Sequence, residues 1–339
     1  MTSRLASNVD TKRSSRRAVE GRSDSPSRVD VGGDRAHDLR PQVVAQLDGH
    51  DTADDDVVGA AGLLRHEVGD VVEDHRDQVA VGADGARERQ RLRAADALRS
   101  EAAEAGTPLR TVLMDVTDAD ACAAAVEEVL ATSERLHGLV NNAGFAQTGA
   151  VEDVDDETAR AQLELNLVAP ARLSRLVLPH FREHRSGRIV NMSSMAGRFT
   201  LPLAGWYSAS KHGLEALSDA MRMEVAGFGV KVVLVEPGSF RTDIWAHGGE
   251  SFPEPAFEGY AKAYRRSELV TGNHRLMPDP VWVARTVRHA LSTPAPRARY
   301  VVGPDAVGGV WAHRLLPTRV TDAAKGTGMG LPAWRRLLP

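Results

Sequence analysis

The sequence is short of several things, and each shortage narrows its reading. It has a single cysteine, Cys122, so no internal disulfide can form and a reducing, cytoplasmic setting is expected. That thiol sits in the Ala-rich run ADACAAAVEEV and reads as a buried structural residue rather than a nucleophile. No run of about 18 apolar residues occurs, which excludes a transmembrane helix. Residues 1–30 are rich in Arg and Ser with no apolar stretch, so no signal peptide is expected. The formal net charge is only -4, which argues against a dedicated nucleic-acid partner. His, Cys, Asp and Glu never fall at metal-ligand spacing, so no metal is expected.

Aromatic residues are unevenly scarce. None precedes Phe145, and residues 1 to about 95 also lack Ile. That segment is crowded with Arg, Asp, Gly, Val and His and shows neither a helical nor a strand period. Such a composition cannot bury much apolar area, so poor order is expected over 1–94. The Arg residues there are interleaved with Asp, notably Asp54–Asp56, which speaks against a nucleic-acid arm.

From about residue 95 the pattern changes. Helices are predicted over 95–106, 118–136 (with Asp118 as N-cap), 158–183, 206–227 and 279–292. Strands are predicted over 108–116, 136–144, 188–194, 230–238 and 299–303. The strands are largely apolar and alternate with helices, which predicts a doubly wound α/β domain around a parallel sheet. The stretch Trp245–Met277 reads as a long loop, and its Phe252, Phe257, Tyr260 and Tyr264 suit either an apolar pocket or lid packing. The domain is expected over 95–315, followed by a tail over 316–339 that ends LPAWRRLLP.

Tyr207 and Lys211 lie four apart on an amphipathic helix and so share a face. A phenol has a pKa of about 10, and a neighbouring ammonium lowers it, which makes the pair a proton-transfer device. NNAG (141–144), NMSSMAG (191–197) and EPGSFRT (236–242) each end a predicted strand, where open α/β sheets bind ligands. With YSASK at 207–211 and LNLVAP around Asn166, these motifs resemble the short-chain dehydrogenase/reductase family in order and spacing. The nearest likeness is to bacterial relatives of hydroxysteroid and retinol dehydrogenases.

That resemblance implies a Rossmann-like oxidoreductase using NAD or NADP, with NADP slightly preferred, on a small lipophilic alcohol or carbonyl compound. It implies catalytic roles for Tyr207 as general acid/base, Lys211 beside it, Ser194 on the substrate oxygen and Asn166 in a proton relay. Ser194 is preferred to Ser193 because the family serine usually stands thirteen positions before the tyrosine. Cofactor contacts are implied for Asp115 and Val116 at the adenine, and for Asn142, Ala143 and Gly144. They are implied also for Tyr207 and Lys211, and for Pro237, Gly238 and Thr242 under the nicotinamide and pyrophosphate. Homo-oligomers are implied through the helices after Asn166 and from Tyr207.

One family feature is missing. The Gly-rich cofactor turn should stand near 57–72, where the text VVGAAGLLRHEVGDVV has Gly59 and Gly62 but no amphipathic helix behind them. The sheet is therefore expected to be incomplete in its N-terminal half, with an exposed strand edge. An out-of-frame reading of residues 1–94 is one explanation, tested by reading the other upstream frames. A second expectation follows: a non-catalytic or crippled relative that binds cofactor poorly.

Overall fold

The computed structural model describes residues 42–47, 95–104, 106, 109–133, 135–242, 244, 253, 255–272 and 277–331. The chain divides after Ala36, and every described residue belongs to the part from His37 onward. The expected poor order over 1–94 therefore lies outside the described residues, apart from one strand. Phe252 and the LPAWRRLLP ending beyond Leu331 also lie outside them.

The centre is a parallel sheet of β3 (Gly138–Asn141), β4 (Gly187–Met192), β5 (Val230–Pro237) and β6 (Arg299–Val302), in that spatial order. Its strands alternate faces with the period of two that a pleated strand dictates. Val190, Met192, Val233 and Val235 pack against Val283, Val287 and Ala290 of α7 (Val281–Ser292) on one side. Ile189, Val230 and Val232 pack on the other against Val177 and Phe181 of α4 (Ala169–Glu183) and Val225 of α5 (Gly205–Val225). Helices on both faces make the doubly wound, Rossmann-like arrangement that the sequence pattern predicts.

The first part of the chain departs from expectation. Strand β2 (Leu109–Met114) does not join the parallel sheet. It pairs antiparallel with β1 (Gln42–Leu47), in register from Gln42 opposite Met114 to Leu47 opposite Leu109. Among the described residues no strand pairs with the outer edge of β3, and Gly138, Leu139 and Val140 are only half-buried. Among the described residues β2 has no parallel neighbour, and β1 supplies its ladder partner. Side-chain packing still ties β2 to β3, since Val112, Met114 and Leu139 share a cluster with Cys122 and Ala125 of α2 (Ala119–Thr132). A further helix, α1, covers residues 95–104.

The single helix expected over 158–183 is two helices. Asp155 caps α3 (Asp156–Leu163), its carboxylate accepting from Thr158 N at 2.7 Å. A π-helical turn, Glu164–Val168, joins α3 to α4, with Ala169 N donating five residues back to Glu164 O. Pro170 has no N–H to continue the ladder, so the backbone widens there.

Helices α6 (Ala261–Gly272) and α9 (Thr318–Met329) stand where loop and tail were expected, and α8 (Pro304–Leu315) fills the end of the expected domain, where no element was predicted. Packing overrides weak propensity in α8. Its Gly309 lies so close to the Phe199 ring that a Cβ there would sit 2.6 Å from Phe199 Cζ.

Candidate active site

The carboxyl ends of β3, β4 and β5 converge on the first turns of α5. Strand β4 runs out at Met192, and Ser193 N donates to Val235 O at 2.8 Å, holding the turn against β5. Ser194 then caps a 3-10 turn, Met195–Gly197, its hydroxyl accepting from Ala196 N at 3.1 Å. Gly197 is needed for the close approach to α5. A Cβ there would meet Ser193 Oγ at 2.8 Å and Lys211 O at 3.2 Å.

Tyr207 lies buried in the first turn of α5, beside the turn that carries Ser194. Burial raises its hydroxyl above the ordinary phenol range, and the Ser194 side chain opposes that rise. The direction differs from the expected acidification by Lys211, because desolvation outweighs every other influence on the phenol. Lys211, one turn on, is 4% exposed, and its Nζ lies 5.9 Å from the Tyr207 ring centroid. The ammonium donates to Met192 O at 2.8 Å. Burial brings its pKa down to about 8, with Glu215 pulling the other way.

Asn166 reaches this group through the π-turn. It is fully buried and clamps the chain after β3. Its Oδ1 accepts from Phe145 N at 3.1 Å, and its Nδ2 donates to Phe145 O at 2.9 Å and to Ser210 Oγ at 3.1 Å. Gly144 fits between the catalytic candidates: a Cβ there would lie 3.0 Å from Asn166 Oδ1 and 3.7 Å from Lys211 Nζ. Tyr207, Lys211, Ser194, Asn166 and Gly144 are thus brought together, with Asn142 and half-buried Ala143 just upstream. Pro237 ends β5, Gly238 N donates to Val302 O at 2.8 Å, and half-buried Thr242 follows. The space beside Gly238 is taken by Asp305, whose Oδ2 accepts from Ser239 N at 2.7 Å.

Asp115 and Val116 are each hydrogen-bonded within the chain. Asp115 Oδ1 accepts from Thr117 N at 2.8 Å and Thr117 Oγ1 at 2.7 Å. Val116 O accepts from Arg172 Nη1 at 2.8 Å and from the buried Cys122 thiol at 3.3 Å. The residues present therefore suit the nicotinamide-ribose end of a dinucleotide: a buried ammonium, a phenol and a bare glycine backbone face one another. The described residues do not offer a glycine-rich cradle for its pyrophosphate.

Sequence reasoning missed several partners. Gln162, one turn before Asn166, accepts from Gln147 N and donates to Phe145 O, both at 2.6 Å. Two amides four apart in QLELN were the available signal. Asn141 and Asn191 face each other across β3 and β4, with Asn141 Nδ2 donating to Asn191 Oδ1 at 2.7 Å and Asn191 Nδ2 to Ser218 Oγ at 2.8 Å. His212 turns away to Ser208 O, and His180 Nε2 accepts from Leu136 N at 3.1 Å. Tyr264 is buried in a cluster with Ala150, Leu203 and Ala263, donating to Asp153 Oδ2 at 2.5 Å and accepting from Ala150 N at 2.8 Å. Among the described residues no cluster of three metal-ligating side chains occurs, and no helix is long and apolar enough to cross a membrane.

The short chain dehydrogenase profile matches residues 75–251, just over half of the chain. The chain belongs to the short-chain dehydrogenase family. It is 37% identical over 235 residues to the 17-beta-hydroxysteroid dehydrogenase type 6 of Bos taurus, covering 63% of this chain and 72% of that protein. It is 35% identical over 222 residues to the NADPH-dependent 3-dehydrocapnine reductase of Ornithobacterium rhinotracheale, covering 62% of this chain and 77% of that one. A solved short-chain dehydrogenase from Streptomyces avermitilis superposes with a TM-score of 0.54 at 34% identity, over 67% of this chain and 78% of that one.

Proposed function

We propose that this short-chain dehydrogenase interconverts a lipophilic secondary alcohol and its ketone, or an aldehyde, using NAD(P), with Tyr207 as general acid/base. The observation that carries the reading is buried Tyr207, with the Lys211 ammonium 5.9 Å from its ring centroid and the Ser194 turn beside it. Gly144 and Lys211 would hold a nicotinamide, which would supply the hydride chemistry there. In the reducing direction Tyr207 gives its proton to the carbonyl oxygen, and Ser194 holds that oxygen as charge develops on it. Burial keeps the phenol protonated near neutrality, which suits the acid role. Asn166 fixes the backbone after Gly144 by holding both polar groups of Phe145.

NADP is proposed over NAD, in line with the NADPH-dependent relative. The 17-beta-hydroxysteroid relative supports a lipophilic substrate. A cytoplasmic homo-oligomer is proposed, supported by the exposed Leu217, Met223 and Phe228 on and after α5. NADPH oxidation measured across a panel of lipophilic ketones tests the reading, and no turnover with any of them would refute it.

A second reading has its own support: a crippled relative that binds cofactor poorly. Asp115 and Val116 are engaged by Thr117 and Arg172, and the described residues hold no glycine-rich turn beside them. Nicotinamide fluorescence on titrating NADPH into the purified chain separates the two. An absence of binding points to the second reading.

A further inference from the structure

Behind Lys211 lies a buried ionic cluster that none of the roles above uses. Glu215 follows Lys211 by one turn of α5, and Asp219 follows Glu215 by another. Arg299 of β6 reaches all the acids: its Nε donates to Glu215 Oε2 at 2.8 Å and lies 3.2 Å from Glu236 Oε1, and its Nη2 donates to Asp219 Oδ2 at 2.7 Å. Glu236, wholly buried at the end of β5, also accepts from Arg198 Nη1 at 3.1 Å. Arg198 belongs to the turn that carries Ser194. The Cγ of Glu215 lies under that same turn, 3.1 Å from where a Gly197 Cβ would stand. Four elements that build the reaction centre thus meet on one set of charges.

Two buried carboxylates are costly unless compensated. Here two guanidiniums oppose them, and burial together with Glu215 holds the Glu236 carboxyl above the usual carboxylate range. One oxygen of each acid, Glu215 Oε1 and Glu236 Oε2, is buried with no hydrogen-bond partner among the described residues. Glu215 lies one helical turn from Lys211 on α5, and both side chains are buried. The charged and titratable groups around that ammonium are Tyr207 and Glu215 from α5. Arg198 of the serine turn, Glu236 of β5 and Arg299 of β6 stand behind Glu215. The loop after β3 and the π-turn bring Gly144 and Asn166.

We propose that Glu215 is a positioning residue: anchored by Arg299 beside Glu236, it holds the Lys211 side chain as an ammonium at the reaction centre. The proposal rests on reading Tyr207 and Lys211 as the reacting pair, and it adds the acid that keeps the second of them charged. An anion one helical turn away favours the ammonium, while burial opposes it. Replacing Glu215 by a neutral isostere leaves the opposing influences unbalanced.

The test needs neither cofactor nor turnover. The chain has five lysines, so 13Cε-labelled lysine gives few resonances, and Lys211→Met assigns the one of interest. In the wild type that resonance should titrate near pH 8. In Glu215→Gln its midpoint should fall by roughly half a pH unit or more, while Glu215→Asp, which keeps the charge, restores most of the difference. A packing role alone would lower thermal stability in both variants and leave the midpoint in place. An unmoved midpoint in Glu215→Gln overturns the proposal. If that variant does not fold, Arg299→Gln decides instead: with the opposing guanidinium removed the Lys211 midpoint should rise, and an unmoved midpoint overturns the proposal equally. An inactive wild type with the expected lysine titration refutes the oxidoreductase reading and leaves the Glu215 assignment standing. An active wild type with an unmoved midpoint does the reverse.

Discussion

The two ends of this Rossmann-like unit are held in different ways. At the α5 end, β4 is paired on both sides, Ser193 is tied to Val235, and Lys211 is tied to Met192. Every catalytic candidate there is fixed by contacts from at least one other element of the same region. At the β2 end the parallel order is lost. Strand β2 pairs antiparallel with β1, β3 keeps a half-buried edge, and Asp115 spends its carboxylate on Thr117. The contrast teaches that a proton-transfer centre is local to a few strand ends and one helix. A dinucleotide cradle depends instead on a strand and turn supplied from elsewhere in the chain.

The largest expected effect breaks the first region chemically. Tyr207→Phe removes the proton donor and leaves the ring packing, so turnover should drop by about 10²–10⁴-fold. NADPH affinity should change little. Turnover within threefold of wild type would remove Tyr207 from the mechanism. Ser194→Ala deletes one donor to the developing oxyanion and should cost about 10²-fold in kcat. Ser193→Ala provides the internal contrast: its hydroxyl packs by Gly197 with no hydrogen-bond partner among the described residues, so kcat should stay within a few-fold of wild type. Equal losses in the two variants would undo the preference for Ser194.

The same contrast governs what could be read from sequence. The apolar runs of β4 and β5 and the Tyr–Lys spacing are local patterns, and they located the sheet and two residues that the fold buries side by side. Asn166 was visible only through its motif, because the π-turn that delivers it depends on Pro170 interrupting a ladder that periodicity treats as continuous. Glu215 and Glu236 read as ordinary acids. Their burial is created by Arg198 and Arg299, which are 38 and 63 residues from Glu236 in the chain. The pairing of β2 with β1 was unreadable for a similar reason: QVVAQL carries no turn linking it to LRTVLM.

A pH measurement sharpens the description of the α5 end. The Lys211 pKa is lowered from 10.5 to about 8 in the folded chain. Between those values the unfolded chain binds more protons, so this residue makes stability rise with pH across that window. Below pH 8 the ammonium is charged in both states, and its burial costs stability in full. Above pH 10 Tyr207 opposes the trend, since its raised folded pKa means that stability is lost as the unfolded phenol ionises. The window that isolates the lysine is therefore pH 8 to 10. Urea unfolding of wild type should gain up to about 2 kcal/mol over Lys211→Met across it. A constant difference between the two proteins would mean that Lys211 is solvated rather than buried.

The smallest expected effect asks whether the β2 end is a separate unit. Asp118 caps α2, its Oδ1 accepting from Asp120 N at 2.8 Å and Ala121 N at 3.1 Å. Asp118→Ala should cost about 1 kcal/mol. Because α2 packs on β2, Leu165 and Leu173 rather than on α5, the loss should be felt first by its own amides. Native-state hydrogen exchange should show faster exchange through α2 and β2, with α5 protected as before. Equal loss of protection in α5 would mean that the two ends open as one cooperative unit. The contrast would then be one of bonding pattern alone, since a reaction centre that unfolds whenever α2 frays is not held by its own region.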